Sequence, residues 1–280
     1  KEKFKNLLVY DAINKILNKN KILAPRLYTQ RYDKNFIEIE DFGNETVFKT
    51  LKKKGKNKLS YFNRIIKLLI QIQSIKHRKV KNFRNQNYII PKYDKKILIS
   101  EANLFCDWYA KNNLSKLRKK RFCKKFKKII KELTLKLKLK DNIFVHRDFH
   151  VSNLMSVKNQ IGLIDSQDAL IGNKAYDLAS LIDDVRLKTS YSFKEKIFKF
   201  YTKKQKNLDI KKFKNDFEIL SVLRNLKIIG IFTRLALRDR KKNYLRFIPY
   251  TWQLINMRID QNRTFIDLKN LLSQNFKKIK

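Results

Sequence analysis

The sequence predicts an α+β fold in which a short, strand-bearing front part precedes a long and mostly helical remainder. Three long stretches have apolar residues at helical spacing, and these are residues 59–75, 122–137 and 217–237. Short apolar runs typical of strands lie at residues 26–30, 36–39, 143–145 and 161–164. The 280 residues, 43% of them hydrophobic, can bury a substantial core, and no Pro- or Gly-rich linker divides the chain.

The front part begins with a predicted helix that ends near Asn20. Its apolar residues recur at helical spacing and are Phe4, Leu7, Leu8, Ile13, Ile16 and Leu17. A strand is expected near Arg26 to Gln30, and a second one follows in the segment from Asn35 to Gly43, where apolar and acidic residues alternate. The second strand could lead into a nucleotide-binding hinge. On local sequence alone, a plain edge hairpin is an equally good interpretation.

The most informative stretch runs from His146 to Asp168 and reads HRDFHVSNLMSVKNQIGLIDSQD. One apolar strand delivers Asp148, and a hairpin that turns at residues 158–160 starts at Asn153 and delivers Asp165. Carboxylates at the ends of neighbouring strands point into the same space, where a divalent ion and a triphosphate can be held. An ordinary hairpin with two surface aspartates is the alternative, but it must explain the whole pattern at once.

This pattern, H-R-D-x-x-x-x-N followed by I-D-x-x-D, resembles the catalytic loop and metal-binding turn of the aminoglycoside phosphotransferase and choline kinase superfamily, relatives of protein kinases. Within this superfamily, the chain most resembles the kinases that phosphorylate the anomeric hydroxyl of N-acetylmuramate and N-acetylglucosamine. Three segments carry this resemblance: HRDFHVSNLM, GLIDSQDALIGNKAYDLASLIDD and LKIIGIFTRLALRDRKKNYL. The resemblance implies a protein-kinase-like, two-lobed fold. Residues 1–44 would be a partial N-terminal lobe with the hinge, and residues 45–280 a mostly helical C-terminal lobe.

The resemblance also assigns roles to individual residues. Asp148 matches the carboxylate that orients the acceptor hydroxyl and accepts its proton, and Asn153 and Asp165 match the ligands of Mg²⁺ on the phosphates of ATP. Asp168 is a candidate for a second metal or the substrate, with a loop-capping carboxylate as the alternative. His146 and Arg147 are expected to support the loop. Asp177, near a helix N-terminus, is interpreted as a structural brace of the same loop.

Further candidates lie outside this motif. Glu38, Ile39, Glu40 and Asp41 form the predicted nucleotide hinge, whose backbone would meet adenine. His150 is a possible substrate contact. Arg224 or Arg234 could hold the lactyl carboxylate of N-acetylmuramate, although a solvated helix face is the simpler interpretation of both.

Two departures from the family pattern concern the turn and the front. Ser166 stands where the family usually has a bulky aromatic residue, so looser packing of the metal-binding turn is expected. The five glycines are Gly43, Gly55, Gly162, Gly172 and Gly230. Their spacing permits neither a Gly-rich phosphate loop nor a Walker motif. We therefore expect the phosphate loop and the phosphate-binding lysine to precede Lys1, with Glu2 or Asp11 as the partner of that lysine.

The formal net charge of +42 would attract phosphates, nucleic acid and anionic membranes alike. The lysines are spread along almost every segment and show no RNA-binding motif, so no specific nucleic-acid partner is expected. The two cysteines have neither disulfide nor metal-ligand spacing, which suits the cytoplasm. No apolar run reaches the length of a membrane span.

The sequence thus predicts an ATP- and Mg²⁺-dependent, monomeric kinase in the cytoplasm that phosphorylates the anomeric hydroxyl of N-acetylmuramate or N-acetylglucosamine. Its expected role is the recycling of cell-wall sugars. An aminoglycoside or amino-alcohol phosphotransferase is the alternative within the same class. It requires an acidic acceptor pocket, and the chain offers few clustered acids beyond the motif apart from Asp183 and Asp184. A non-catalytic basic scaffold or a nucleic-acid-binding protein is the alternative from another class.

Overall fold

The computed structural model describes residues 2–53 and 57–276, with side chains from residue 6 onward. The chain forms two compact units. The first comprises Lys1–Lys92 and Lys140–Asn207, and the second comprises Tyr93–Leu139 and Leu208–Lys280. The predicted lobe boundary at residue 44 concerns a different division of the chain and stays a prediction.

The first unit opens with helix α1, Glu2–Lys19, which is followed by strands β1, Leu27–Arg31, and β2, Phe36–Ile39. The two strands pair antiparallel and form a front hairpin that is closed by a 3₁₀ turn, Tyr32–Lys34. Most side chains of both strands are exposed. The predicted first helix and both front strands are therefore present.

Two helices and a second hairpin complete the front half of this unit. They are α2, Val47–Lys52, α3, Lys58–Gln73, β3, Lys79–Lys81, and β4, Asn87–Ile89. The side chain of Asn57 caps α3 by accepting from the amide of Ser60, which satisfies one of the free amides of the first turn. Helix α3 then buries its apolar face, as its helical spacing predicts.

The motif region contains four short strands and two helices. They are β5, Asp141–Val145, β6, Leu154–Val157, β7, Gln160–Leu163, β8, Leu170–Asn173, α7, Ala175–Ile182, and α8, Tyr191–Lys203. β5 pairs with β8, and β6 pairs with β7, both antiparallel. Lys158 takes a left-handed backbone conformation in the turn between β6 and β7, where the sequence predicts a hairpin.

The second unit is helical in its described residues. Its helices are α4, Lys95–Ala102, a π-helix, Phe105–Ala110, that continues as α5, Lys111–Asn113, α6, Lys116–Leu135, α9, Ile210–Leu237, α10, Ile248–Ile259, and α11, Ile266–Asn275. Phe105 is fully buried and contacts the rings of Phe122, Phe126 and Trp252. The apolar stripe predicted on α6 is thus part of the core of this unit.

Gly230 lets α9 approach the π-helix closely. A Cβ atom at this position would lie 2.3 Å from the backbone carbon of Leu104, closer than any real contact. A glycine in the middle of a long helix is otherwise unfavourable, so packing against the backbone explains its presence. Among the described residues, no helix combines the length and the apolar character needed to cross a membrane.

Candidate active site

The predicted acidic residues lie on short loops of the first unit, next to strand ends. We call residues 146–153, which follow β5, the β5 loop. The amide of Ile164 donates to the carbonyl oxygen of Asn153 at 3.1 Å, and Nδ2 of Asn153 donates to the carbonyl oxygen of Asp148 at 3.1 Å. These bonds join the β5 loop to the end of β7. Asp148, Asn153 and Asp165 are thereby brought together.

The carboxylate of Asp177 on α7 holds the start of the β5 loop. The amide of His146 donates to its Oδ2 at 2.7 Å, and the amide of Arg147 donates to its Oδ1 at 3.0 Å. Asp177 is 1% exposed, so these charge-assisted bonds lie away from water. Both oxygens of one buried side chain are therefore used to fix two successive amides of the loop.

His146 is fully buried and links the β5 loop to the end of β7 a second time. Its Nε2 lies 3.1 Å from the carbonyl oxygen of Ile164. Because a carbonyl only accepts hydrogen bonds, Nε2 carries the proton and Nδ1 does not. Burial lowers the pKa of His146 to about 4. The imidazole is therefore neutral at physiological pH and acts as a hydrogen-bond donor beside Asp165.

Two non-glycine residues of the site have left-handed backbone conformations. The φ angles are +73° at Arg147 and +58° at Asp165. Such conformations cost free energy and persist where the surrounding structure enforces them, often at functional sites. In this site, the hydrogen bond to Asp177 holds the backbone of Arg147. The bonds of His146 and Asn153 to Ile164 hold the backbone next to Asp165. The guanidinium of Arg147 also donates to the carbonyl oxygen of Asp168 at 3.2 Å and lies 3.5 Å from its carboxylate.

The three aspartates share a negative field. The pKa of Asp165 is raised, first by partial burial and then by the charges of Asp148 and Asp168. Like charges at close range disfavour the ionised form of each carboxyl group, and a bound cation would relieve that repulsion. The electrostatics of the site therefore favour a cation next to Asp165.

The oxygen atoms that the site offers suit Mg²⁺, which takes only part of its ligands from the protein. They do not suit a metal ion whose ligands all come from protein side chains. No group of three or more His, Cys, Asp or Glu side chains suited to a metal occurs in the part of the chain that the structure describes. Mg²⁺ commonly takes one or two carboxylates from the protein and fills its other positions with phosphate oxygens and water. The carboxylate of Asp165 and the amide oxygen of Asn153, whose Nδ2 is turned to the Asp148 carbonyl, provide such a partial set.

Ser166 does not loosen the metal-binding turn, contrary to our expectation. Its side chain is fully buried, and Oγ donates to Oδ1 of Asn14 on α1 at 2.5 Å. Nδ2 of Asn14 in turn donates to the carbonyl oxygen of Pro25 at 3.0 Å. The turn that contains Asp165 is therefore tied to α1 through side chains, where an aromatic residue would tie it by packing.

Asn14 is not among the residues predicted for the site. A signal was present, because Asn14 is a polar residue between the apolar Ile13 and Ile16 on the buried face of a helix. A buried amide in such a position needs hydrogen-bond partners, and they are commonly other parts of the fold. Its partners in this chain could not be named without the structure.

The predicted hinge residues follow the front hairpin. The amide of Glu40 donates to the carbonyl oxygen of Arg26 at 2.8 Å, and Oδ1 of Asp41 accepts from the amide of Gly43 at 2.8 Å. Glu38 and Ile39 are exposed on β2. Ile39 also lines a cavity of about 280 Å³. The other lining residues are Tyr10, Asp11, Asn14, Lys15, Asn18, Pro25, Arg26, Leu27 and Ile37.

The remaining candidates have different environments. His150 is 4% exposed and follows Asp148 in the β5 loop, with its amide donating to the Asp148 carbonyl at 3.0 Å. Arg224 and Arg234 both lie on α9 in the second unit. Arg224 is 4% exposed, and within the described part of the chain neither its Nη1 nor Nε of Arg234 has a hydrogen-bond partner. Their separation of ten positions corresponds to about 15 Å along the helix.

Two curated relatives are similar to most of the chain. The N-acetylmuramate/N-acetylglucosamine kinase of Pseudomonas aeruginosa is 28% identical over 256 residues, which cover 89% of this chain and 72% of the relative. The protein of the same name from Neisseria meningitidis serogroup B is 27% identical over 232 residues, which cover 81% of this chain and 67% of the relative.

Solved structures of more distant proteins share the fold. An ethanolamine kinase of Plasmodium vivax superposes with a TM-score of 0.61 at 14% identity, covering 93% of this chain and 74% of that protein. The AMP-bound complex of a spectinomycin phosphotransferase superposes with a TM-score of 0.62 at 15% identity, covering 90% and 85%. These neighbours confirm the predicted kinase-like α+β fold.

The family model described as the phosphotransferase enzyme family, APH, matches residues 7–208. This range includes the front hairpin, the β5 loop, the metal-binding turn and Asp177, so it covers every predicted site residue except Glu2, Arg224 and Arg234. The chain therefore belongs to the phosphotransferase enzyme family, as the resemblance of its motifs predicted.

Proposed function

We propose that this protein is an ATP- and Mg²⁺-dependent kinase that phosphorylates the anomeric hydroxyl of N-acetylmuramate and N-acetylglucosamine. The observation that carries the proposal is that Asp148, Asn153 and Asp165 lie at two strand ends that are joined by the hydrogen bonds of Asn153 to Ile164 and Asp148. The curated relatives are named for these two sugars, which supports this choice of acceptor. A monomeric, cytoplasmic enzyme of cell-wall sugar recycling is the corresponding cellular role.

Asp148 is the proposed catalytic residue. Its carboxylate accepts the proton of the sugar hydroxyl while the sugar oxygen bonds to the γ-phosphorus of ATP. The bond from the γ-phosphorus to the bridging oxygen breaks, and ADP leaves with that oxygen. The brace from Asp177 fixes the backbone on one side of Asp148, so the base is oriented before the substrate binds.

Asn153 and Asp165 are the proposed ligands of Mg²⁺, which offsets the charge of the phosphates when bound. The raised pKa of Asp165 agrees with a carboxylate placed for a cation. Asp168 is kept as a candidate for a second metal or for the substrate. His146 and Arg147 position the loop by their bonds to Ile164 and Asp168.

The hinge assignment places the adenine of ATP beside the backbone of residues 38–41. The Glu40 amide is already bonded to the Arg26 carbonyl, so we assign the contact to the backbone of Ile39 and Asp41. The mostly exposed strand β2 leaves this segment accessible to a ligand. The spectinomycin phosphotransferase in the AMP-bound complex shares the fold, which supports a nucleotide as the second substrate.

Arg224 is the better candidate for the carboxylate of N-acetylmuramate. It is more buried than Arg234, and a buried guanidinium whose Nη1 has no partner among the described residues gains most from a bidentate anion. The spacing of about 15 Å along α9 prevents both side chains from serving one carboxylate as equal partners. Because N-acetylglucosamine has no carboxylate, Arg224 would affect only one of the two sugars. We also keep His150 as a possible contact of the sugar.

An aminoglycoside or amino-alcohol acceptor is less well supported. Asp183 lies 3.3 Å from the ammonium group of Lys194, and both side chains are almost fully buried. Asp184 is buried and lies 3.5 Å from the guanidinium of Arg186. The acids that the sequence offered for a cationic acceptor are therefore neutralised within the first unit, which leaves few charges to bind an amine. No observation favours a non-catalytic scaffold.

The test is phosphate transfer from ATP by the complete gene product to N-acetylmuramate, N-acetylglucosamine, kanamycin and ethanolamine, with products identified by ³¹P NMR. We expect sugar 1-phosphates and no transfer to the two amines. Arg224→Leu should raise the KM for N-acetylmuramate by about tenfold or more and leave the KM for N-acetylglucosamine within about threefold. Transfer to kanamycin or ethanolamine alone would replace this proposal with the aminoglycoside or amino-alcohol reading.

A further inference from the structure

The hairpin of β6 and β7 is attached to the chain segment that follows the predicted hinge. The amide of Ser156 on β6 donates to the carbonyl oxygen of Glu45 at 2.7 Å, and Met155 forms an antiparallel bridge with Thr46. The side-chain oxygens of Ser156 and Thr50 also lie within hydrogen-bond distance, at 3.0 Å. These contacts fix residues 45–50 against β6.

The ring of Phe42 lies directly on the backbone of β7 at Gly162. A Cβ atom at position 162 would lie 2.7 Å from Cε2 and 2.8 Å from Cδ2 of this ring, closer than real contacts allow. The side chain of Phe42 is 9% exposed, so it fills the space beside the glycine. Glycine weakens the interior of a strand and often marks the close approach of another group. The contact with Phe42 therefore explains the glycine in β7.

Phe42 directly follows Asp41, the last residue of the predicted hinge. On its other side, Gly43 has a φ angle of +72°, a left-handed conformation that glycine adopts readily. The amide of Gly43 donates to Oδ1 of Asp41 at 2.8 Å, which holds the backbone around Phe42 in one turn. The position of the Phe42 ring on β7 therefore limits where the hinge backbone can lie.

Strand β7 also leads to the proposed ligands of Mg²⁺. Asp165 follows Gly162 by three positions, which correspond to about 10 Å of extended chain. Ile164 lies between them, and its amide donates to the carbonyl oxygen of Asn153 at 3.1 Å. One short strand thus carries the contact with the hinge segment at one point and the attachment of both proposed metal ligands at its end.

We propose that Phe42 is a positioning residue for the nucleotide. Its contact with Gly162 sets the distance between the hinge backbone, which meets adenine, and the metal ligands, which hold the phosphates. The inference rests on the proposed function and adds to it a residue that does not itself touch ATP. A ligand that is held at two ends binds tightly only when the two parts of its site are correctly spaced beforehand.

A contact that only stabilised the fold would respond differently to substitution. An added methyl group in a packed region displaces its neighbours and costs stability wherever the region lies. The affinity of the folded molecules for ATP changes only if the displaced neighbour belongs to the nucleotide site. The KM for the sugar provides the second distinction, because the hinge does not contact the acceptor in this proposal.

The experiment uses the complete gene product and its Gly162→Ala, Phe42→Val and double variants. Isothermal titration calorimetry gives the Kd of ATP with Mg²⁺, and steady-state kinetics give the KM for N-acetylglucosamine. Gly162→Ala pushes the ring off β7 and should raise the Kd of ATP about tenfold. Phe42→Val removes both ring atoms that the new methyl group would meet, and it should raise the Kd about threefold.

The double variant gives the sharpest result. Because valine leaves room for the methyl group, its Kd should stay about threefold above the wild-type value, whereas two independent effects would multiply to about 30-fold. The KM for N-acetylglucosamine should stay within about twofold in all three variants. A multiplied effect on the Kd would overturn the inference, since Phe42 and Gly162 would then act separately.

Phe62→Val is the matched control. Phe62 lies on α3 in the same unit, is 3% exposed and packs on Phe193 with ring centroids 5.1 Å apart. The same substitution there removes a buried ring away from the hinge, so the Tm should fall while the Kd of ATP stays within about twofold. If Gly162→Ala does not fold, this pair decides, and an equal Kd in Phe42→Val and Phe62→Val overturns the inference.

The remaining outcomes separate the inference from the proposed function. A lower Tm of Gly162→Ala with an unchanged Kd would reduce the contact to core packing and overturn the inference. A raised KM for N-acetylglucosamine at an unchanged Kd would overturn it as well and assign the contact to the acceptor. A wild-type protein that binds ATP but transfers phosphate to neither sugar would end the proposed function, while the Kd values of the variants would still decide the role of Phe42.

Discussion

The β5 loop and the front hairpin are both short parts of the first unit, but they differ in how their side chains are held. In the β5 loop, His146 is fully buried and two successive amides bond to the buried Asp177. In the front hairpin, Tyr28 and Phe36 are 68% and 40% exposed. The proposed catalytic residue, Asp148, thus lies in the loop whose backbone is fixed by buried hydrogen bonds. The difference predicts that substitutions in the two regions act very differently.

The largest effect should follow from Asp165→Asn. Loss of a metal-binding carboxylate should lower the transfer rate on the order of 1,000-fold. The folded protein should not lose stability, because the raised pKa of Asp165 means that its ionised form is disfavoured in the fold. That cost is present at neutral pH and disappears as the pH falls below the ordinary aspartate pKa. Thermal unfolding in EDTA at pH 7 should give an equal or higher Tm.

A lower Tm for Asp165→Asn under these conditions would contradict the electrostatic account of the site. Addition of Mg²⁺ provides the second check. It should raise the Tm of the wild-type protein and have a smaller effect on the variant, because a ligand that binds only the folded state stabilises it. Equal responses to Mg²⁺ would remove Asp165 from the metal site.

The next effect concerns the brace. Asp177→Ala leaves two buried amides without their charged acceptor, which should lower the free energy of unfolding by about 3–5 kcal/mol. In molecules that remain folded, displacement of Asp148 should reduce transfer about 100-fold. Denaturant unfolding and steady-state kinetics measure the two quantities. Asp33→Asn, at an exposed site of the front hairpin, is the control and should change the stability by less than about 0.5 kcal/mol.

A smaller effect depends on pH and comes from His146. The pKa of its neutral, buried imidazole is about 4, below the ordinary value of 6.5. The unfolded chain therefore binds a proton more readily, so stability is fully present above pH 6.5 and is lost as the pH falls toward 4. At pH 5 the loss should be about 2 kcal/mol. His146→Gln should flatten this part of the pH profile, whereas replacement of the exposed His77 by Gln should not.

The smallest effect is expected in the front hairpin. Tyr28→Ser removes a side chain that is 68% exposed and should change the free energy of unfolding by less than about 0.5 kcal/mol, and Phe36→Ser removes one that is 40% exposed and should cost less than about 1 kcal/mol. Denaturant unfolding of the complete gene product measures this. A loss above about 1 kcal/mol would contradict the account of these side chains as solvent-facing and would remove the contrast between the two regions.

The long helices and the motif strands could be predicted from the sequence because their signals are local. Helical spacing identified α3, α6 and α9, and the alternation around residues 143–164 identified the strands that hold Asp148 and Asp165. The family followed from the pattern H-R-D-x-x-x-x-N and I-D-x-x-D within residues 146–168. All of these features depend on residues that are close together in the chain.

The contacts that could not be predicted join residues far apart in the chain. Ser166 reaches Asn14 across 152 positions, and Lys92, which follows β4, forms a bridge with Ile171 on β8. Both contacts depend on how distant segments pack together, and no local sequence pattern fixes that packing. The expected loosening at Ser166 was wrong for this reason, since its partner on α1 compensates for the missing aromatic ring.

The most direct test of the proposed catalytic site is transfer of phosphate from ATP to N-acetylmuramate by the complete wild-type protein and its Asp148→Asn variant, with Mg²⁺ present. The account predicts that the wild type forms the sugar 1-phosphate. The variant should bind ATP within about threefold of the wild type and transfer phosphate at least about 100-fold more slowly. A folded variant that transfers phosphate at the wild-type rate would contradict the role of Asp148 and, with it, the site described here.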